Sequence, residues 1–286
     1  MRRFLLILLL AGTAHAAPDE PYLWIKPSVG LGYAQLGLLG VTQAQARAPM
    51  LRTESIVFQN TFAGAGARLR IAPAFVDIGP QFTLAPIDVF ELTVNGGFVG
   101  TWKSNAGLLP YDQLSGTLEA DRTAREDTAV AGGFLYGSAA PVFKIKLGPV
   151  IAFTKADFTV FHLLDQEDHS GTYWYEASRD FLLLPTDVMV ESTTGILGEI
   201  LDAGEKTTVK LRAGAMLRHR QAFGSKDIST AVGGVVTVKP GRKEGWPTIL
   251  LAVLGYVRDA DRALKAPNIQ IQVAWEFEKP FAKKAD

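Results

Sequence analysis

The chain has 286 residues, 48% of them apolar and 20% charged, with 28 Gly and no Cys. Its 29 basic side chains balance 29 acidic ones. A disordered chain and an electrostatic nucleic-acid binder are therefore excluded, as are a disulfide scaffold, a thiolate zinc site and a cysteine nucleophile. The first element is N-terminal. Arg2 and Arg3 precede an apolar run from Phe4 to Ala11, and the small residues of Ala14-His15-Ala16 stand before Ala17-Pro18-Asp19-Glu20. This is the layout of a secretory signal peptide over residues 1–16, with cleavage expected after Ala16 and one mature domain over 17–286. The run is too short for a membrane-spanning helix, which needs about 20 apolar residues. Cleavage removes two of the 29 basic residues, leaving 27 against 29 acidic.

From there on the pattern has period two, the signature of strands, whose successive side chains point to opposite faces. Leu23, Ile25, Val29 and Leu31 alternate with Trp24, Lys26 and Ser28. Ala67, Leu69 and Ile71 flank Arg68 and Arg70 at odd positions, whereas Val76, Ile78, Phe82 and Leu84 occupy even ones around Asp77, Gln81 and Thr83. A strand cannot change parity without a turn or a bulge, so Ala72-Pro73-Ala74 is either a tight hairpin or a bulge in one long strand. Phe90, Leu92, Val94, Phe98 and Trp102 oppose Glu91, Thr93, Asn95 and Thr101. Phe143, Ile145 and Leu147 oppose Lys144 and Lys146. Val188, Val190, Ile196 and Ile200 oppose Glu191, Thr193 and Glu199. In 207–220, Val209, Leu211, Ala213, Ala215 and Leu217 alternate with Lys210, Arg212, Gly214, Met216 and Arg218. The run Ile249–Val257 has the length of a transmembrane strand, about 9–11 residues. Finally Ile269, Ile271, Val273, Trp275 and Phe277 oppose Gln270, Gln272, Ala274, Glu276 and Glu278.

Turn residues punctuate these runs at Ala85–Asp88, Leu147–Pro149, Asp202–Glu205 and Pro240–Arg242. Three connections are long and polar, near 103–127, 163–186 and 258–266. The spacing predicts an all-β, antiparallel fold of about 10–12 strands with no second domain. An even number would bring both ends of the chain to one side.

With its alternating strands, short turns set against long loops, the Ala14-His15-Ala16 site and a final strand carrying Trp275 and Phe277, the chain resembles bacterial outer-membrane β-barrel proteins over about residues 22–278. The resemblance is to a class, with no subfamily motif. It implies a transmembrane β-barrel in the outer membrane of a Gram-negative cell, with outer-membrane lipid and the barrel-assembly machinery as partners. Members of the class commonly end on an aromatic residue, whereas here Phe281 is followed by Ala282-Lys283-Lys284-Ala285-Asp286. A period-two pattern does not say which face is inside. A soluble periplasmic barrel or sandwich carrying an apolar ligand has the same alternation with its polar row outward.

If the polar rows face a lumen, they place both signs of charge on neighbouring strands. Lys210, Arg212, Arg218, Glu191, Glu199 and Glu276 are the candidate pore-lining residues, with Lys26, Arg68, Arg70, Asp77, Glu91, Lys144, Lys146 and Glu278 on the same rows. Arg220 joins the basic face of 207–220 while His219 points the other way. These charges either tune a narrow or gated passive pore for small solutes or ions, or pair off and fill a structural barrel. The one dense polar constellation is Asp165-Gln166-Glu167-Asp168-His169-Ser170. It is the candidate site of an alternative hydrolase reading, with Asp165, Asp168 and His169, set against a plain solvated loop tip. No G-x-S-x-G, H-E-x-x-H, Walker or G-x-G-x-x-G motif occurs in a fitting context, so no catalytic residues, metal or cofactor are assigned and no nucleic-acid partner is expected. Tyr173-Trp174-Tyr175 and Phe181–Leu184 are expected to pack their loop onto the rim or into the mouth of the barrel.

Overall fold

The computed structural model describes residues 20–33, 37–51, 58–102, 108–111, 129–164, 173–176, 181–202, 209–240, 246–259 and 268–281. Its strands are β1 (Tyr22–Tyr33), β2 (Gly37–Pro49), β3 (Phe62–Ala72), β4 (Phe75–Ile87), β5 (Phe90–Thr101), β6 (Leu109–Tyr111), β7 (Gly132–Leu147) and β8 (Val150–Leu164). They continue with β9 (Tyr173–Glu176), β10 (Phe181–Leu183), β11 (Thr186–Asp202), β12 (Lys210–Ala222), β13 (Ile228–Lys239), β14 (Thr248–Asp259), β15 (Asn268–Ala274) and β16 (Phe277–Pro280). All except β6, β9 and β10 form one antiparallel sheet in chain order, and β15 closes it onto β1.

The parity switch at 72–74 is a hairpin. β3 ends at Ala72 and β4 begins at Phe75, with Pro73 and Ala74 as the turn. At the seam, β15 and β16 are two parts of one stave. Ser28 pairs with Ala274 and Ile25 with Phe277, so the register is unbroken between them. The ladder lapses opposite Pro27, which has no N–H to donate, although its carbonyl still accepts from Trp275 N at 2.9 Å. The barrel therefore has twelve staves. The strand ends at Tyr33 and Gly37, Ala72 and Phe75, Thr101 and Gly132, Leu164 and Thr186, Ala222 and Ile228, and Asp259 and Asn268 lie at one end, here the loop end. The start of β1, the end of β16 and the other strand ends lie at the opposite end, here the terminal end.

Side-chain burial decides the orientation that the alternation leaves open. Asp77 is 0% exposed, Arg70 2% and Gln45 1%, whereas Ile78 is 53%, Phe82 56% and Phe143 52% exposed. The same inversion holds around the barrel, with Leu31, Val94, Val160, Ile196, Leu217, Val232, Leu251 and Ile271 all exposed. A soluble barrel or sandwich would place these rows the other way round. An exposed apolar belt over polar contents is the arrangement hydrocarbon demands, and closure leaves no sheet edge in it. Crossing is by strands. Among the described residues no helix is long and apolar enough to do it. The single-ring contact Phe90–Phe143 (4.8 Å) and Trp102, which donates to the Pro73 carbonyl at 2.5 Å, mark opposite ends of the belt.

Close approach of neighbouring backbones requires glycine at Gly66, Gly79, Gly214 and Gly233, of which Gly79 serves as the example. A Cβ on Gly79 would run into the carbonyl of Gly96 and the Cα of Gly97 on β5, so β4 and β5 meet there too closely for any side chain.

The belt generates a prediction. Phe82 sits near the middle of β4, facing outward. Phe82→Arg should lower the unfolding free energy by roughly 2–4 kcal/mol, the cost of a charge on the lipid face near the midplane. Denaturant titration of protein refolded into lipid vesicles measures it, and an unchanged midpoint would contradict a lipid-facing position.

Candidate functional site

The described segments of the two long connections, 108–111, 129–131, 173–176 and 181–185, turn inward. β6, β9 and β10 form a three-stranded antiparallel sheet of their own. Period two gives this small sheet two apolar faces. Trp174, Phe181 and Leu183 pack into the barrel mouth against lumen-facing Phe75, Val99, Phe134, Tyr136, Phe161 and Met189. Leu109, Tyr111, Tyr175 and Leu182 form a second buried cluster with Ala129 on the other face. Phe134 and Phe161 meet edge-on at 5.7 Å.

Carboxylates tie this plug to the staves. Asp227 Oδ2 accepts the Leu182 N–H at 2.9 Å, and Ser225 Oγ donates to the Leu182 carbonyl at 2.6 Å. Asp187 accepts four backbone N–H groups. Gly224 and Val188 donate to Oδ1 at 2.7 Å each, and Ser225 and Leu184 to Oδ2 at 3.0 and 3.2 Å. Asp187 thereby fixes the 223–227 turn to the junction between β10 and β11. Buried carboxylates satisfied by backbone donors are among the stronger hydrogen-bonded groups in a protein.

Below the plug the lumen has two unlike walls. Over β8 and β11–β14 it carries an apolar patch, with buried charges such as Asp157, Glu191 and Arg218 on the same strands beyond it. Ile151, Leu197, Val235 and Ala252 succeed one another across paired strands, joined by Phe153, Met216, Leu250 and Leu254. These side chains fill part of the interior by themselves. Over β1–β5 the wall is polar. Gln45 Nε2 donates to Gln81 Oε1 and Thr83 Oγ1 at 2.8 and 2.9 Å, and Asn95 Nδ2 donates to Ser138 Oγ at 3.3 Å. Between the walls lies a cavity of about 320 Å³. It reaches from Trp24, Lys144 and Glu276 at the terminal end to Arg70, Asn95 and Asp157 deeper in.

The floor of the cavity, towards the plug, is an ionic cluster. Asp77 Oδ2 lies 3.0 Å from Arg70 Nε and 3.3 Å from Arg68 Nη2. Tyr136 donates to Asp77 Oδ1 at 2.8 Å and accepts from Arg68 Nη2 at 2.6 Å. One carboxylate thus serves two guanidinium groups and a phenol away from bulk water.

The six candidate pore-lining residues do not all line the cavity, although Arg212 and Glu199 are brought into an ion pair. Glu276 lines the cavity and accepts from Trp24 Nε1 at 2.7 Å. Glu199 sits at the terminal rim between Arg212 (3.0 Å) and Lys146 (3.2 Å). Arg218 and Glu191 are buried on β12 and β11, with Glu191 opposite Arg220 on one side and Asp157 on the other. Lys210 is half-buried at the start of β12. His219 lies off the basic face, with Nδ1 2.9 Å from Thr230 Oγ1. Asp165, Asp168 and His169 lie outside the described residues. Among the described residues no group of three or more His, Asp or Glu is placed to hold a metal ion.

Sequence reasoning passed over Arg47, Gln45, Lys155 and Asp157, which line the cavity. The signal for the first two was present in Gln43-Ala44-Gln45-Ala46-Arg47-Ala48, a polar residue at every second place. Its outward row is alanine, so no apolar contrast advertises the strand. The Asp77 cluster yields a prediction. Asp77→Ala leaves two buried guanidiniums uncompensated and should cost about 3–5 kcal/mol. Tyr136→Phe removes the phenol's two charge-assisted hydrogen bonds but leaves both ion pairs of Asp77 in place, and should cost about 1–3 kcal/mol. Denaturant midpoints of the refolded variants test that order, and equal losses would contradict it.

No family model matches the chain, and no curated protein sequence does. Among solved structures, the β domain of the Bordetella autotransporter BrkA is similar with a TM-score of 0.46 and 12% identity, over 92% of this chain and all (100%) of that one. LpxR from Salmonella typhimurium is similar with a TM-score of 0.36 and 9% identity, over 89% and 99%. OmpT, an outer membrane protein of Vibrio cholerae in its trimer form, gives 0.34 and 8%, over 90% and 98%. The closed antiparallel barrel and its inverted surface carry the assignment of fold. The chain is an all-β transmembrane barrel that resembles bacterial outer-membrane β-barrels as a class.

Proposed function

We propose that the protein is exported by a cleaved signal peptide, assembled into the Gram-negative outer membrane by the barrel-assembly machinery, and acts there as a narrow, gated passage for small solutes or ions. The observation that carries this reading is the inserted β6–β9–β10 sheet. Phe181 is fully buried among lumen-facing aromatics at the loop end, while the cavity below it reaches the terminal end. A barrel of eight strands is filled by its own side chains and one of sixteen leaves a channel. Twelve staves leave room for transport only where something can move, and a loop-borne sheet is the part least bound into the ladder. Displacing Trp174, Phe181 and Leu183 would open the loop end down to the Arg68–Asp77–Tyr136 cluster that floors the cavity, leaving only those side chains to move and the staves in place.

Two measurements test this. Membrane fractionation with unboiled and boiled gel samples should place a heat-modifiable band in the outer-membrane fraction, and the mature mass should correspond to cleavage after Ala16. A soluble periplasmic product would overturn the location. In planar bilayers the wild type should open rarely, and Phe181→Ala with Leu183→Ala should raise open probability several-fold. Silence from both, with the heat shift retained, would make the barrel a structural one.

A further inference from the structure

The cavity is charged in a way the whole chain is not. Six basic side chains line it, Lys26, Arg47, Arg68, Arg70, Lys144 and Lys155, against the acidic Glu91, Asp157 and Glu276. With Asp77 counted against Arg68 and Arg70, two positive charges remain in excess, in a protein whose 29 basic and 29 acidic residues balance. Walls of low polarity concentrate such a field. Lys155 faces Asp157 at 3.7 Å. Towards the terminal end, no ion pair is formed by Lys26, Arg47 or Lys144 with a carboxylate among the described residues.

Arg47 is built rather than merely present. Its guanidinium carbon lies 3.6 Å from the Trp24 ring centre and 4.1 Å from that of Phe62, so the plane is held between two aromatic faces. Its Nε donates to Gln45 Oε1 at 3.0 Å, Gln45 is itself held by Gln81 and Thr83, and the guanidinium also hydrogen-bonds the Tyr22 hydroxyl. A stacked guanidinium anchored through Nε is a pre-ordered fork for an oxyanion. Facing it across the cavity are apolar side chains, among them Val142, Ile151 and Phe153.

We propose that the cavity is a binding site for a small organic anion, its carboxylate or phosphate group taken by Arg47 with Lys26 and Lys144 and its apolar part laid against Val142, Ile151 and Phe153. The volume, about 320 Å³, suits a molecule of a few carbon atoms, at the lower end of ligand pockets. The site opens towards the terminal end and does not depend on the plug moving, so it stands or falls apart from the gating reading.

The test holds the apolar part constant and changes the head. Hexanoate, hexan-1-ol and hexylammonium are titrated by calorimetry into full-length protein refolded in a nonionic detergent. Hexanoate should bind at least about tenfold more tightly than the other two, and Arg47→Gln should weaken it about tenfold, the loss of a charge-assisted contact. Lys26→Gln with Lys144→Gln should also weaken it, and this pair keeps the test open if Arg47→Gln fails to show the heat-modifiable folded band. Lys226→Gln, on the 223–227 turn at the far end, should leave hexanoate binding unchanged. Equal binding of the three probes, a preference for hexylammonium, no binding of hexanoate, or hexanoate binding indifferent to the charge variants would each overturn the proposal.

Discussion

Within hydrocarbon a backbone N–H or C=O has no water to turn to, and each unpaired group costs several kcal/mol. Closing the sheet on itself is the way a β chain meets that demand, and the rest of this protein follows from it. The seam is where the demand is hardest to meet, because Pro27 brings no donor to the ladder between β1 and the last stave. The stave keeps its register across the lapse, with the Pro27 carbonyl accepting from Trp275 and the Trp24 indole bound to Glu276 just inside. The closure thus joins residues 252 positions apart in the chain.

Closure fixes the circumference, and the circumference sets the problem of what fills the interior. Twelve staves enclose more space than one layer of side chains can occupy. The protein divides that space. The β8 and β11–β14 side supplies apolar bulk from Leu197, Met216, Val235 and Leu254, and the β1–β5 side supplies a network of amides, hydroxyls and ion pairs. Polar groups so far from bulk water have to satisfy one another. Asp77 is shared in this way among Arg68, Arg70 and Tyr136. What remains between the walls is a cavity with one charged side and one apolar side.

The loop end is closed by a different device. Trp174, Phe181 and Leu183 bury themselves against the upper lumen, so the loops are held by the same apolar burial that elsewhere stabilises a core. Asp187 and Asp227 add direction to this non-directional force. Their oxygens accept backbone N–H groups of the plug, of the start of β11 and of the neighbouring turn, and so determine where the apolar faces come to rest.

Local pattern was enough to read the strands, their paired rows and the long connections. Arg212 and Arg218 on one face and Leu217 on the other follow from period two wherever the strand lies. The hairpin at Pro73-Ala74 was visible as a change of parity, though a bulge would have produced the same pattern. The apolar wall was harder to see. In Ile249–Leu254 both rows are apolar, which marks burial on two sides but not what covers each side. The Arg47 site was hidden by alanine, since a strand whose outward row is small offers little contrast to detect.

The sequence by itself determined an all-β chain of alternating rows with both signs of charge on one of them, because side-chain direction in a strand depends only on neighbours along the chain. Only the tertiary structure decided that the charged rows face inward, that twelve staves close through Pro27, that one wall of the lumen carries an apolar patch, and that Arg47 lies stacked between Trp24 and Phe62 beneath a plugged mouth. Each of these depends on which distant residues come into contact, and closure, which brings them together, belongs to the whole sheet and to no segment of it.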